Sequence, residues 1–418
     1  MTAAASTPTV QANWATPGAS RAPIGGSIAI VHDWCPAFRG GERVLAELCK
    51  INRGSQVFTL FDFLPDDIKA EYFAGVPFHT SIADRMPLVE RYYRALFFAC
   101  PFLIEQFDVT NFDAVISSSA AFARGVLTRP DQPHMCYVHS PIRYAWDEQF
   151  TYLELGRLGY GPKGLLFRYF LHRLRTWDTR TAHGPDLMIA NSTFVRSRIR
   201  RIYGRDSEVI FPPVETRENE PQGEKDDYFV TASFMAPYKR TDLVISAFNA
   251  MPSRRLLVIG DGQQTARLRA LAGPNVEFSG HLPRREYVKA VAAAQAMVFA
   301  GCEDFGIALA EAQAWGTPLI AYGRGGACDI VRPLGLSERP TGILFEQQTV
   351  EAVREAVEHF VANRQAIALS ACRDNALRFS AERFRREVDS AFERTLALHG
   401  KTSKRRLGAV GMRFADAL

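Results

Sequence analysis

The 418-residue sequence has no Cys-x-x-Cys pair: its seven cysteines, Cys35, Cys49, Cys100, Cys136, Cys302, Cys328 and Cys372, are scattered and odd in number. This spacing argues against a disulfide framework or a structural zinc site and for a reducing compartment. Long apolar runs are also missing. The most apolar stretch, Tyr92 to Ile104, is interrupted by Arg94 and Pro101, and it is much shorter than the roughly 20 residues a spanning helix needs. No transmembrane segment is expected. Residues 1–23 lack the basic start and apolar centre of a secretory signal; they are rich in Ala, Thr, Ser and Pro and read as a disordered leader. The charge excess is small, +5 from 50 Lys and Arg against 45 Asp and Glu, so the balance gives no case for a nucleic-acid partner.

What remains is a soluble globular composition, 47% apolar and 23% charged, on a chain long enough for two α/β domains. Ser27–His32 is the first expected strand. It leads through Asp33, Trp34 and Arg39-Gly40-Gly41-Glu42 into a helical pattern at Val44, Leu45, Leu48 and Cys49. Strand, glycine loop and helix form the unit that presents backbone N–H groups to a phosphate, although any βα turn can use glycine and both readings stand. Further strands are expected at Val57–Phe61, Asp113–Ser117, Met135–His139 and Leu187–Ala190. His32, Asp33, Ser117 and His139 then fall at strand ends, where open parallel sheets bind ligands. Asn191-Ser192-Thr193 can cap a helix from Phe194 to Tyr203.

Between Lys163 and Arg205 ten basic residues face two acids, with Leu165, Leu166, Phe167, Tyr169, Phe170, Leu174 and Trp177 interleaved at helical spacing. Such a helix can lie on an anionic membrane surface, or it can be an ordinary solvated face with its core side buried. Composition then shifts to Pro, Glu, Gly, Gln and Asp over 211–227, a natural linker. Strands are expected again at Tyr228–Ala232, Arg255–Ile259, Val276–Phe278, Ala296–Phe299 and Gly342–Phe345, alternating with helices that include Val350–Ala362 and Ala381–His399. This alternation predicts a second doubly wound sheet.

Within it, Phe299–Tyr322 reads as strand end, glycine loop, short helix, turn and strand, with Glu303 in the loop and Glu311 in the helix. Gly306 lets the backbone approach a ligand, and the helix that follows points free N–H groups at the same place. Two acids there make sense if hydroxyls bind beside the anion.

The order Gly-Gly loop, His139-Ser140-Pro141, Pro237-Tyr238-Lys239-Arg240, Gly260-Asp261-Gly262, Gly280-His281-Leu282-Pro283, Glu303-x7-Glu311 and Gly316-Thr317-Pro318 resembles the family-four glycosyltransferases of GT-B fold. Strings such as Val31-His32-Asp33-Trp34, the run from His139 through Arg143 to Asp147, and Glu303-Asp304-Phe305-Gly306-Ile307 look like the mannosyltransferase branch that builds bacterial surface polysaccharides. The resemblance covers nearly all of Ile28 to His399. It implies two Rossmann-like doubly wound domains facing a cleft: 24–210 on the acceptor side, and 228–380 for the nucleotide sugar. Helix 381–400 returns to the first domain and a basic, frayed tail follows at 401–418. Retaining transfer without a metal or cofactor is also implied.

By the same resemblance His139, Glu303 and Lys239 are the catalytic candidates, with Lys239 on the diphosphate and Glu303 on the donor sugar. Gly40, Gly41, Arg240, Asp304, Phe305, Gly306, Ile307 and Glu311 complete the donor site, Glu311 on the ribose. His32, Asp33 and Arg143 fall on the acceptor side. One position departs from the pattern: the arginine usually found six residues before the lysine is Ser233, which leaves either Arg240 or Arg324 as a substitute, or poor turnover. The reading is therefore a hexosyltransferase, with mannose from GDP-mannose as donor and a glycan or polyprenyl-linked acceptor, cytoplasmic and peripheral at the inner membrane face. A GT-B epimerase and a non-catalytic sugar-nucleotide-binding partner are the alternatives.

Overall fold

The computed structural model describes residues 27–51, 54–216 and 225–415. The expected leader and the centre of the expected linker lie outside the described residues. Seven parallel strands form the first sheet: β1 (Ile28–His32), β2 (Ser55–Thr59), β3 (Phe78–Thr80), β4 (Ala114–Ser119), β5 (His134–Val138), β6 (Leu187–Ala190) and β7 (Glu208–Val209). Six more form the second: β8 (Phe229–Ala232), β9 (Leu256–Ile259), β10 (Val276–Gly280), β11 (Met297–Phe299), β12 (Leu319–Tyr322) and β13 (Gly342–Phe345).

Their orders are β3-β2-β1-β4-β5-β6-β7 and β10-β9-β8-β11-β12-β13. Both orders reverse beside the first strand of the sheet, between β1 and β4 and between β8 and β11. At such a switch point the crossovers leave in opposite directions and open a crevice beyond the carboxyl ends of the strands. The central strands are buried on both faces and correspondingly rich in Ile, Val, Leu and Ala.

Five helices position the site and its surroundings: α1 (Gly40–Cys49), α2 (Pro162–Thr181), α3 (Thr193–Tyr203), α4 (Ile307–Ala314) and α5 (Ala381–Ala415). As the capping residues suggest, the Ser192 side chain accepts the Val195 N–H at the start of α3. Helix α5 places Phe384, Val388 and Phe392 in one core cluster with Ile30, Val44, Leu48 and Tyr137, so this part of the helix packs against the first sheet. The helix continues to Ala415, where a frayed tail was expected from Lys401.

Several boundaries differ from the sequence expectation for visible reasons. Strand β2 ends at Thr59, not Phe61, because Leu60 and Phe61 stay fully buried after the chain has left the sheet. Burial continued past the last ladder bond, and an apolar run cannot show where that bond is. Strand β4 runs two residues further than expected, through Ser117, Ser118 and Ser119, whose hydroxyls are all buried. Strands β3 and β7 were not expected; they are sheet-edge elements of three and two residues with half-exposed side chains, too short to show a period of two.

Candidate active site

Beyond the end of β1 the chain must turn across the top of the sheet, and Asp33 organises that turn. Its two carboxylate oxygens accept four backbone N–H groups, from Ala120, Ala121, Phe122 and Ala123, at 2.5 to 2.8 Å. Four donors occupy the lone pairs of a carboxylate. Asp33 was expected among acceptor-side groups; the structure instead gives it the task of shaping the loop after β4. Close by, Glu42 accepts the Arg39 N–H at 2.9 Å from the first turn of α1, which fixes the start of that helix, so that Gly40 and Gly41 are its first two residues.

The buried serines of β4 join the two expected histidines. Ser118 Oγ lies 3.1 Å from His32 Nδ1 and 2.8 Å from His139 Nε2, and the two rings meet edge to face with centroids 6.3 Å apart. Burial, reinforced by His32, pushes the His139 imidazole down to about 3. At neutral pH His139 is therefore an uncharged ring that can donate or accept a hydrogen bond.

In the second sheet Gly306 has φ of +94° and begins α4 in a left-handed conformation, which a side chain would strain. The loop from Glu303 to Phe305 rests on Gly325 and Gly326. A Cβ on these two would come within 2.2 Å of the Glu303 carbonyl oxygen and 2.1 Å of the Phe305 carbonyl oxygen. The Gly325-Gly326 turn is thus the bed on which the acidic loop lies.

Each acid of that stretch has a basic partner. Lys239 Nζ pairs with Glu303. Arg198 donates to Asp304 at 2.7 Å, and Arg143 lies 3.6 Å from the same carboxylate. Glu311 Oε1 accepts from Arg43 at 2.5 Å and from Arg284 at 2.9 Å. Arg43, Arg143 and Arg198 all come from the first domain, so two of these three pairings cross the cleft. A third crossing is Asp329, which accepts both the N–H and the hydroxyl of Thr193 at the start of α3. Gly40 comes so close to Ile307 that a Cβ would lie 2.7 Å from the isoleucine Cδ1. The loops at the two switch points thus meet face to face.

Between them lies a cavity of about 960 Å³, walled by Arg39, Gly40 and Arg43 on one side and by Ser233, Ile307 and Glu311 on the other. The structure brings Gly40, Ile307 and Glu311, three of the residues expected in the donor site, together in this wall. Other expected donor residues have different surroundings. Phe305 is buried in the core against Phe211 and Phe379, so its ring serves packing. Arg240 turns to Asp242, two residues along, at 3.3 Å, and Asp304 is held by first-domain arginines. Lys239 and Glu303 pair with each other outside the wall of the cavity. Arg43, Arg198, Arg284 and Ser118 were not singled out in the sequence. Arg43 and Arg284 carried a signal all the same, since each stands in the first turn of a helix that follows a glycine-bearing loop.

Two sequence families divide the chain. Residues 38–218 match Glycosyltransferase Family 4, and residues 214–378 match Glycosyl transferases group 1. The chain belongs to the family-four glycosyltransferases. Its fold is the GT-B fold: HepE of Anabaena, solved in complex with UDP-glucose, superposes with a TM-score of 0.64 over 88% of this chain and 99% of that one, at 16% identity. Two curated relatives of this family-four chain are closer in sequence. One is a GDP-mannose-dependent alpha-mannosyltransferase of Mycobacterium tuberculosis, 35% identical over 141 residues, 33% of this chain. The other is a GDP-mannose-dependent monoacylated alpha-(1-6)-phosphatidylinositol monomannoside mannosyltransferase of Corynebacterium glutamicum, 33% identical over 138 residues, 29% of this chain. The chain spans 35% of the length of each.

Proposed function

We propose that the protein is a retaining hexosyltransferase, with mannose from GDP-mannose as its donor sugar and a lipid-linked oligosaccharide or polysaccharide as its acceptor. The observation that carries this reading is the cavity itself. It lies where both sheets switch direction, and one wall holds a buried carboxylate, Glu311, beside the amino end of α4. A nucleoside diphosphate fits that chemistry: the diphosphate at the helix end, and the ribose hydroxyls on the carboxylate. Both bonds from Arg43 and Arg284 fall on Oε1 of Glu311, which leaves Oε2 to accept from ribose. GDP-mannose is favoured because both curated relatives are named for it.

In the transfer, the bond from the anomeric carbon to the diphosphate oxygen breaks while the acceptor hydroxyl oxygen bonds to that carbon on the same face. The acceptor's proton passes to the departing phosphate. Charge grows on the leaving diphosphate, and Lys239 with the backbone N–H groups near Gly306 and Gly41 would stabilise it. Glu303 and neutral His139 would hold sugar hydroxyls.

A thermal-shift screen against GDP-mannose, UDP-glucose, UDP-galactose and UDP-N-acetylglucosamine, followed by assay of nucleotide release with lipid-linked acceptors, tests the reading. GDP-mannose should raise the melting temperature most. A sugar altered without any acceptor would show an epimerase. Binding with no turnover on any acceptor would support a non-catalytic sugar-nucleotide protein, the alternative that Ser233 favours.

Helix α2 supports a location at an anionic membrane. Leu171, Leu174 and Asp178 face the core, while Leu165, Leu166, Tyr169 and Phe170 lie on the outer face with Lys163 and Arg173. Phe98 extends this apolar face, its ring 4.5 Å from that of Phe170. Exposed aromatic and aliphatic side chains rimmed by basic ones suit an anionic bilayer surface. The inner face of the cytoplasmic membrane, where a polyprenyl-linked acceptor would be found, is the surface we assign. No helix among the described residues is long and apolar enough to cross a membrane. The expected result is flotation with anionic liposomes at low salt, reduced about fivefold or more in Leu166→Glu/Tyr169→Glu. A protein that ignores such liposomes, or a double variant that binds them normally, removes this surface from the account.

A further inference from the structure

We propose that Arg39 clamps the donor's diphosphate from the first domain and supplies the positive charge that the Ser233 loop of the second domain does not carry. The inference rests on reading the cavity as a nucleotide-sugar site, and it concerns how that site is charged. Around Ser233 the second-domain wall is formed by Phe234, Ile259 and the Gly260–Gly262 loop, none of them basic. The packing there leaves no room for another side chain. A Cβ on Gly260 would lie 2.1 Å from the Ser233 carbonyl oxygen, and one on Gly262 would lie 2.8 Å from the Met235 nitrogen. Neither Arg240, held by Asp242, nor Arg324 forms part of the cavity wall.

Three arginines do line the cavity, and two of them are held by Glu311. The guanidinium of Arg39 instead reaches across the cleft and lies 5.7 Å from the centroid of the Phe234 ring, the residue next to Ser233. Its backbone is the residue before α1, and the adjacent Gly40 touches Ile307, the first residue of α4. Arg39 therefore stands where the amino ends of α1 and α4 approach each other, both of which favour an anion. Glu42 is the opposing charge nearby; one of its carboxylate oxygens accepts the Arg39 N–H, and burial raises its pKa. A guanidinium is suited to this place because its planar fork can bind two phosphate oxygens at once. The clamp is thereby divided between the domains and is complete only while the cleft is closed.

Calorimetry of the full chain with GDP, UDP and guanosine tests the assignment. In Arg39→Ala the affinity for whichever diphosphate the wild type prefers should fall about tenfold or more, while guanosine, which lacks phosphates, stays within about twofold. Arg39→Lys should lie between the two. The double variant Arg39→Ala/Ser233→Arg should regain much of the loss, because it moves the charge to the other wall. Unchanged diphosphate affinity in a folded Arg39→Ala, or an equal loss of guanosine affinity, overturns the role of Arg39 alone. A wild-type protein that binds none of these ligands overturns the reading of the cavity, and this inference with it.

Discussion

Lys239→Ala is expected to reduce transfer by about 100- to 1,000-fold, the loss typical when one preorganised donor to a developing oxyanion is removed. The residue sits at the end of a short turn, Pro237–Lys239, that follows β8, and its ammonium is packed among Glu303, Tyr238 and the Phe299 ring. Burial, with help from the Arg143 charge, pulls the ammonium down to about 8, against the pull of Asp304. Below that pH the lysine is charged in the free protein; above it the proton is lost before the donor arrives. Wild-type affinity for the nucleotide sugar should therefore be full below about pH 8 and decline above it, and Lys239→Ala should lose this decline. Two measurements check the argument: nucleotide release under saturating donor, and donor affinity across the pH range on both sides of that value. A variant with normal turnover and an unchanged pH profile would remove Lys239 from the site.

The parts of the fold that were legible are those that repeat. Ile28–His32, Leu187–Ala190 and Gly342–Phe345 are short buried runs bounded by turn residues, and their alternation with helices led directly to two parallel sheets. Gly306 and the short helix after it were legible because a glycine before a helix has a local meaning. The pairings across the cleft had no such sign. Arg43 and Glu311 are 268 positions apart, and Arg198 and Asp304 are 106 apart. Each looks in sequence like a charge on an amphipathic or loop segment. Only the packing of the two sheets decides which arginine meets which acid.

Asp33 shows the same limit in one residue. A carboxylate at a strand end next to histidines reads as chemistry, yet four successive amides of a loop nearly 90 positions away consume it. The basic stretch from Lys163 to Arg205 divides in a similar way. Lys163 and Arg173 are on the surface, while Arg198 is buried and binds the second domain. Charge density along the sequence was informative about the first group and misleading about the second.

The largest stability loss is expected from Asp178→Ala, on the order of 3–5 kcal/mol. Asp178 lies on the inner face of α2 with no exposed surface, and three groups converge on it. The Arg124 guanidinium pairs with it, the Trp146 Nε1–H donates to it at 2.7 Å, and the Tyr203 hydroxyl donates at 3.1 Å. Removing the carboxylate leaves a guanidinium buried without its counter-ion and two more donors without an acceptor. That is far more costly than the pair is stabilising, because desolvation of both ions offsets most of their attraction. Arg124→Met/Asp178→Leu should therefore be less damaged than Asp178→Ala alone, since it removes both charges and restores bulk. The damage should also spread. Arg124 follows the loop held by Asp33 and donates to Ser119 at 3.1 Å, next to the Ser118 that joins His32 to His139. On its outer side α2 carries the apolar face assigned to the membrane. Denaturant unfolding of the three proteins, with liposome flotation of the folded variants, measures both effects. A loss below about 1 kcal/mol in Asp178→Ala would mean that water reaches Arg124, and that α2 is held by its apolar contacts alone.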